Sequence, residues 1–133
     1  MTIRVIIVDD QAMVRAGFAA LLNAQSDIDV VGDAADGAQA LEVTGRTHPD
    51  VVLMDVRMPV MDGLEASEHL RALQRIGTLP PFPIVASTAG DSDSRRDACR
   101  HAGMDGYLSK PMDMQALADE LHRVLPARPS AEL

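Results

Sequence analysis

Apolar and polar positions along these 133 residues follow two alternating rhythms. Short runs rich in Val, Ile and Leu have the length and branching of buried parallel strands, and between them apolar residues recur every three or four positions, as on the buried face of a helix. The run Ile3 to Asp9 is the first strand. Asp10 is placed to cap the helix after it, where Val14, Phe18, Leu21 and Leu22 fall at i, i+4, i+7 and i+8 as one stripe for a sheet. Asp29 to Ala34 is a second strand, and Asp36-Gly37 turns the chain into a helix with Ala40 and Leu41 inward, Gly45 near its end and His48-Pro49 as its stop.

Val51 to Asp55 is the third and most apolar strand, ending abruptly at a carboxylate. A turn through Pro59 and Gly63 opens a third helix with Leu70 and Leu73 on its core stripe, and Gly77 ends it. The stiff segment Leu79-Pro80-Pro81-Phe82 leads to a fourth strand, Pro83 to Thr88. Ser92 or Asp93 caps a polar fourth helix that Gly103 terminates in a left-handed conformation. Gly106 to Ser109 is the fifth strand, broken by Pro111, and Asp113 caps a last helix with Leu117, Leu121, Val124 and Leu125 as its stripe. Five strand-helix units joined by right-handed crossovers predict an α/β, three-layer, doubly wound parallel sheet of flavodoxin-like order 2-1-3-4-5. The crevice of such a sheet lies outside the carboxyl ends of strands one and three.

That crevice is where the sequence puts its carboxylates. Asp9 and Asp10 follow the first strand, Asp55 ends the third, and Lys110 at the end of the fifth is the cation available to join them. Three acids converging on one lysine repel one another unless a hard cation intervenes, and Mg2+ suits carboxylate oxygens while keeping waters in its other positions. Asp55, exposed to ligand at the edge where open α/β sheets do their chemistry, reads as a phosphate acceptor.

Composition narrows the alternatives. The length fits one domain, placed at residues 1–125, with 126–133 as a linker stub or tail. Two phenylalanines, one tyrosine and no tryptophan leave an aliphatic core. A formal net charge of -8 disfavours nucleic-acid binding by this chain alone. No apolar run approaches a membrane span and no signal-type segment opens the chain, so a cytoplasmic location is expected. Cys99 reads as a small helix residue, and His48, His69, His101 and His122 lack metal-ligand spacing.

Asp9-Asp10, Asp55, Thr88 and Lys110-Pro111, in this order and each at a strand end, resemble the receiver domain of two-component response regulators over about Ile3 to Leu125. The resemblance implies that Asp10 ligates Mg2+ directly and Asp9 partly through water, with Asp55 and the backbone carbonyl of Arg57 completing the protein ligands. It implies a sensor histidine kinase or phosphotransfer protein as partner, and Asp55 as the residue phosphorylated. Lys110 and Thr88 would hold phosphoryl oxygens, Thr88 and Tyr107 would form the switch, and Arg57 and Gly90 would tune dephosphorylation. Phosphorylation-dependent homodimerisation is a further possibility it raises. The implied activity is self-phosphorylation and slow self-hydrolysis rather than turnover of a diffusible substrate.

The two halves differ in style. Asp10 to Gly17 and His48 to Asp55 resemble receivers of the NarL type, whereas Pro83 to Ala89 and Ala102 to Pro111 resemble receivers of hybrid histidine kinases. A recombined or engineered scaffold with weakened switching is the alternative this suggests, and it predicts poor packing from the third helix to the fourth strand. Two other classes fit less well. An electron carrier of the same fold needs a phosphate-cradling first loop, where this chain has two acids. A magnesium-dependent phosphohydrolase needs a second acid to activate water and a cap for its substrate. Arg95, Arg96 and Arg100 on the fourth helix read as solvated charges more than as a partner face.

Overall fold

Side chains of β1 (Ile3–Val8) divide between two cores, as the two-residue period of a strand requires. Ile3, Val5 and Ile7 enter one apolar cluster, and Ile6 and Val8 enter the other. The same division runs through β3 (Val51–Asp55), where Val51 and Leu53 face one way and Val52 and Met54 the other. This computed structural model describes residues 2–56, 58, 61–89, 93–110 and 114–125. Its remaining strands are β2 (Ile28–Ala34), β4 (Ile84–Ala89) and β5 (Gly106–Lys110), and the sheet is parallel throughout in the order β2-β1-β3-β4-β5. The predicted order and the alternation of strand and helix are therefore those observed.

Helices cover both faces. α1 (Ala12–Asn23) and α5 (Met114–Val124) close one cluster through Leu22, Leu117 and Leu121. α2 (Gly37–Thr47), α3 (Gly63–Arg75) and α4 (Asp93–His101) close the other through Ala40, Val43, Ala66, Leu70 and Cys99. Strands buried on both faces have no need of polar alternation, which is why β3 reads as a continuous apolar run.

Several local expectations are corrected. Leu21 is 46% exposed, because α1 meets the sheet through Phe18, Ala19 and Leu22 and the next residue on a helix lies about 100° round the axis. Asp10 does not cap α1. Gln11 occupies that position with extended backbone and no side-chain cap, while Asp9 Oδ1 accepts from the Gln11 amide at 2.9 Å. Pro83 precedes β4, β2 begins at Ile28, and β5 runs on to Lys110. Asp36, read from the sequence as a turn residue, caps α2 by accepting from the Gln39 amide, and His48 ends it in the left-handed region at φ 51°. Gly103 has the left-handed conformation expected of it, and Gly77, expected only to end α3, also has positive φ. Asp93 is the first residue of α4. The expected roles of Pro59, Ser92, Pro111, Asp113 and the tail 126–133 lie outside the described residues.

The segment from α3 to β4, where the recombined alternative places its seam, has a buried apolar side and an open cleft lined by Pro80, Pro81, Phe82 and Pro83. Leu70, Leu79, Phe82 and Ile84 are all buried in one cluster. Arg71 stitches this region together, donating from Nε to the Gly103 carbonyl at 2.8 Å and from Nη1 to the Phe82 carbonyl at 2.8 Å. Its Nη2 pairs with Asp105, whose Oδ2 also accepts from the Ile84 amide at 2.9 Å.

Candidate functional site

Strand register brings the acids together. Val8 pairs with Met54, so the residues that follow, Asp9 and Asp55, emerge side by side at the carboxyl edge. Asp9 and Asp55 are buried while Asp10 is exposed, and one carboxylate oxygen from each of the three lies within 4.8 Å of the others. Lys110 crosses from the end of β5. Its Nζ donates to Asp9 Oδ2 at 2.7 Å and stands 3.6 Å from Asp55 Oδ1.

The turn after β3 is fixed against Asp55 itself. The Gly63 amide donates to the Val56 carbonyl at 2.9 Å, and the Val56 amide donates to the Ser87 carbonyl at 3.1 Å. Asp62 caps α3 by accepting from the Glu65 amide at 2.9 Å. These bonds seat the N-terminus of α3 directly on the strand end that carries the acid.

Thr88 is buried at the end of β4, and its hydroxyl accepts from Arg95 Nη1 at 2.9 Å. Tyr107 on β5 is half-buried, with the Arg96 guanidinium 4.5 Å from its ring centre. The Tyr107 amide donates to Glu120 Oε2 at 2.9 Å. Hydrogen bonding from Arg123, with help from the Tyr107 amide and the charges of Arg123 and Arg96, holds the Glu120 carboxyl below its ordinary range in spite of partial burial.

The structure thus brings Asp9, Asp10, Asp55 and Lys110 together, with Thr88 on the neighbouring strand. Arg57 and Gly90 lie outside the described residues. The four histidines are exposed and none belongs to the acid cluster. Cys99 is buried, and burial pushes its thiol up, as befits a packing residue. Two participants were not legible as such. Arg15 Nη1 donates to the Asp9 carbonyl at 2.7 Å, and Arg95 engages Thr88. Their spacing on helices carries no signal for this, because a long flexible side chain chooses its partner from the tertiary surroundings.

The acid cluster fits Mg2+ by its chemistry. All its donors are carboxylate oxygens, one acid is open to solvent, and an ion that retains several waters needs no closed protein cage.

A profile of the response regulator receiver domain matches residues 5–122. The chain belongs to this family. Response regulator protein VraR of Staphylococcus aureus is 36% identical over 123 residues, which cover 92% of this chain and 56% of VraR, so the receiver spans about half the length of the curated relatives it matches. The receiver domain of the putative response regulator NarL from Mycobacterium tuberculosis superposes with a TM-score of 0.79 at 32% identity, covering 89% of this chain and 94% of that one. The response regulator domain of Thermotoga maritima CheB gives a TM-score of 0.83 over 97% of this chain and all of its own, at 24% identity, a likeness of fold. Membership implies phosphoacceptor signalling in a two-component system, with a histidine kinase or phosphotransfer protein as the class of partner. No helix among the described residues is long and apolar enough to cross a membrane.

Proposed function

We propose that Asp55 accepts a phosphoryl group from a kinase histidine or a small donor such as acetyl phosphate, in a reaction that depends on Mg2+. The observation that carries this reading is Lys110 lying between Asp9 and Asp55 at the carboxyl edge of the sheet. The bond from phosphorus to the donor nitrogen or oxygen breaks as one forms to an Asp55 carboxylate oxygen, and the donor leaves with the electron pair. Asp9, Asp10, Asp55 and the Arg57 carbonyl would hold Mg2+, which when bound would neutralise charge on the transferring oxygens.

The chain's own residues position and release the group. Lys110, already within reach of Asp55, turns one of its N–H donors to a phosphoryl oxygen, and Thr88 donates its hydroxyl to another. Asp9 anchors Lys110 so that the ammonium is in place before the donor arrives. The product is an acyl phosphate, which water hydrolyses slowly, with Arg57 and Gly90 tuning the rate. The chain is a switch and not a multiple-turnover enzyme. Withdrawal of Thr88 toward the phosphoryl group frees space for Tyr107, and the surface of α4, β5 and α5 changes shape. This surface is where a partner or a second phosphorylated copy would read the state. We place the protein in the cytoplasm, where a kinase would meet it.

Reductive trapping tests the acceptor. After incubation with acetyl phosphate and magnesium, borohydride reduction should convert an aspartyl phosphate to homoserine, and peptide mapping should find it at position 55. Homoserine at another aspartate would contradict the assignment.

A further inference from the structure

Consecutive arginines of α4 hold the two residues of the switch. Arg95 Nη1 donates to the buried Thr88 hydroxyl at 2.9 Å, and Arg96 lies with its guanidinium 4.5 Å from the Tyr107 ring centre. Successive helix residues point about 100° apart, so one helix reaches the end of β4 with one side chain and covers the β5 aromatic with the next. Neither contact belongs to the acid cluster.

Each contact opposes the switch to the extent that it is lost when Thr88 and Tyr107 move. A hydrogen bond from a cation to a buried hydroxyl is strengthened by its surroundings, and threonine has few χ1 positions, so swinging Oγ1 toward a phosphoryl group at Asp55 breaks the bond to Arg95. Tyr107 moving into the vacated space likewise leaves the face of Arg96, losing a cation–π contact. A contact made in one state and lost in the other biases the equilibrium between them.

We propose that Arg95 and Arg96 form a two-point latch on α4 that holds Thr88 and Tyr107 in the resting state and sets the threshold for phosphorylation. The proposal rests on the reading of Asp55 as phosphoacceptor and of Thr88 and Tyr107 as its switch. Arg95 and Arg96 are positioning residues, acting through Thr88 and Tyr107. The latch couples the two halves of the switch, because a shift of α4 that frees one side chain also frees the other.

Tyr107 is the single tyrosine in a chain without tryptophan, so 3-fluorotyrosine gives one 19F resonance that reports on the switch alone. The test compares the wild-type chain with Arg95→Gln, Arg95→Lys and Arg96→Gln. In unphosphorylated Arg95→Gln the ring should move inward, read as a smaller shift of the resonance between H2O and D2O, while Arg95→Lys, which keeps a cationic donor, should stay near wild type. An unchanged or larger solvent shift in Arg95→Gln would overturn the latch. With acetyl phosphate and magnesium, phosphorylation should be about fivefold faster in Arg95→Gln and about threefold faster in Arg96→Gln. Arg96 is exposed, so its variant is safe for folding, and an unchanged or slower rate there would also overturn the proposal. A wild-type chain that takes no phosphoryl group would count against the acceptor reading instead, and the 19F comparison of unphosphorylated chains would still decide whether Arg95 governs the ring.

Discussion

A Cβ built on Gly63 would lie 2.2 Å from the main-chain oxygen of Asp55, closer than any side-chain carbon is found to an oxygen. The first residue of α3 is thus in backbone contact with the strand end that carries the central acid, and the Gly63 amide closes the turn onto Val56. Gly63→Ala must push α3 away from Asp55. We expect a loss of about 1–3 kcal/mol in denaturant unfolding, the usual cost of overpacking, together with slower phosphorylation. A variant as stable and as reactive as wild type would show that the turn yields freely.

Much of this arrangement was legible in the sequence. The apolar runs ending at Asp9 and Asp55 specify parallel strands buried on both faces, and once the order 2-1-3-4-5 is accepted those acids must meet. Lys110 followed from its place after the fifth run. Other features were not legible, for physical reasons that differ from case to case. Leu21 matched the helical period but lies beyond the edge of the narrow strip that touches the sheet. Asp10 is a good capping residue, yet the helix starts one residue too late for it. Arg15 and Arg95 act through long side chains whose targets, the Asp9 carbonyl and the Thr88 hydroxyl, exist only in the folded chain. Gly63 was read as a turn residue, which is correct but misses that its missing side chain makes room for Asp55.

Magnesium should stabilise the fold, because three acids share one lysine and a bound cation relieves their repulsion. At a concentration a hundred times its dissociation constant the gain is about 2.7 kcal/mol, read as a higher midpoint in thermal melts and reversed by a chelator. Asp10→Asn should remove most of the response, since Asp10 is the exposed member of the cluster. Equal stabilisation of wild type and variant would place the ion elsewhere.

Glu120 links β5 to α5, and its pH dependence has a definite sign. Its carboxyl is held below the ordinary value of 4.5 by Arg123, so its contribution to stability is full above that value and is lost as pH falls through the lower folded-state value. Glu120→Gln should therefore be less stable than wild type at neutral pH, and the gap should close below pH 4.5. A gap that stayed constant through this range would mean that the charge of Glu120 is irrelevant.

Arg71 should be structural. Arg71→Met keeps an apolar stem but deprives the Gly103 and Phe82 carbonyls of their Arg71 donor and leaves Asp105 with the Ile84 amide and no guanidinium, at a cost of about 1–3 kcal/mol. The loss should appear in urea unfolding with the lifetime of phosphorylated Asp55 unaltered. A changed lifetime would tie this end of the sheet to the switch.

The central claim is that Asp55 takes a phosphoryl group with the help of the acids and lysine around it, and intact mass tests it most directly. Wild-type chain incubated with acetyl phosphate and magnesium should gain a single phosphoryl adduct, which should be missing from Asp55→Asn and from wild type treated with a chelator. An adduct that persists in Asp55→Asn, or no adduct in a folded wild-type chain shown to bind magnesium and supplied with both acetyl phosphate and competent histidine kinases, would contradict it.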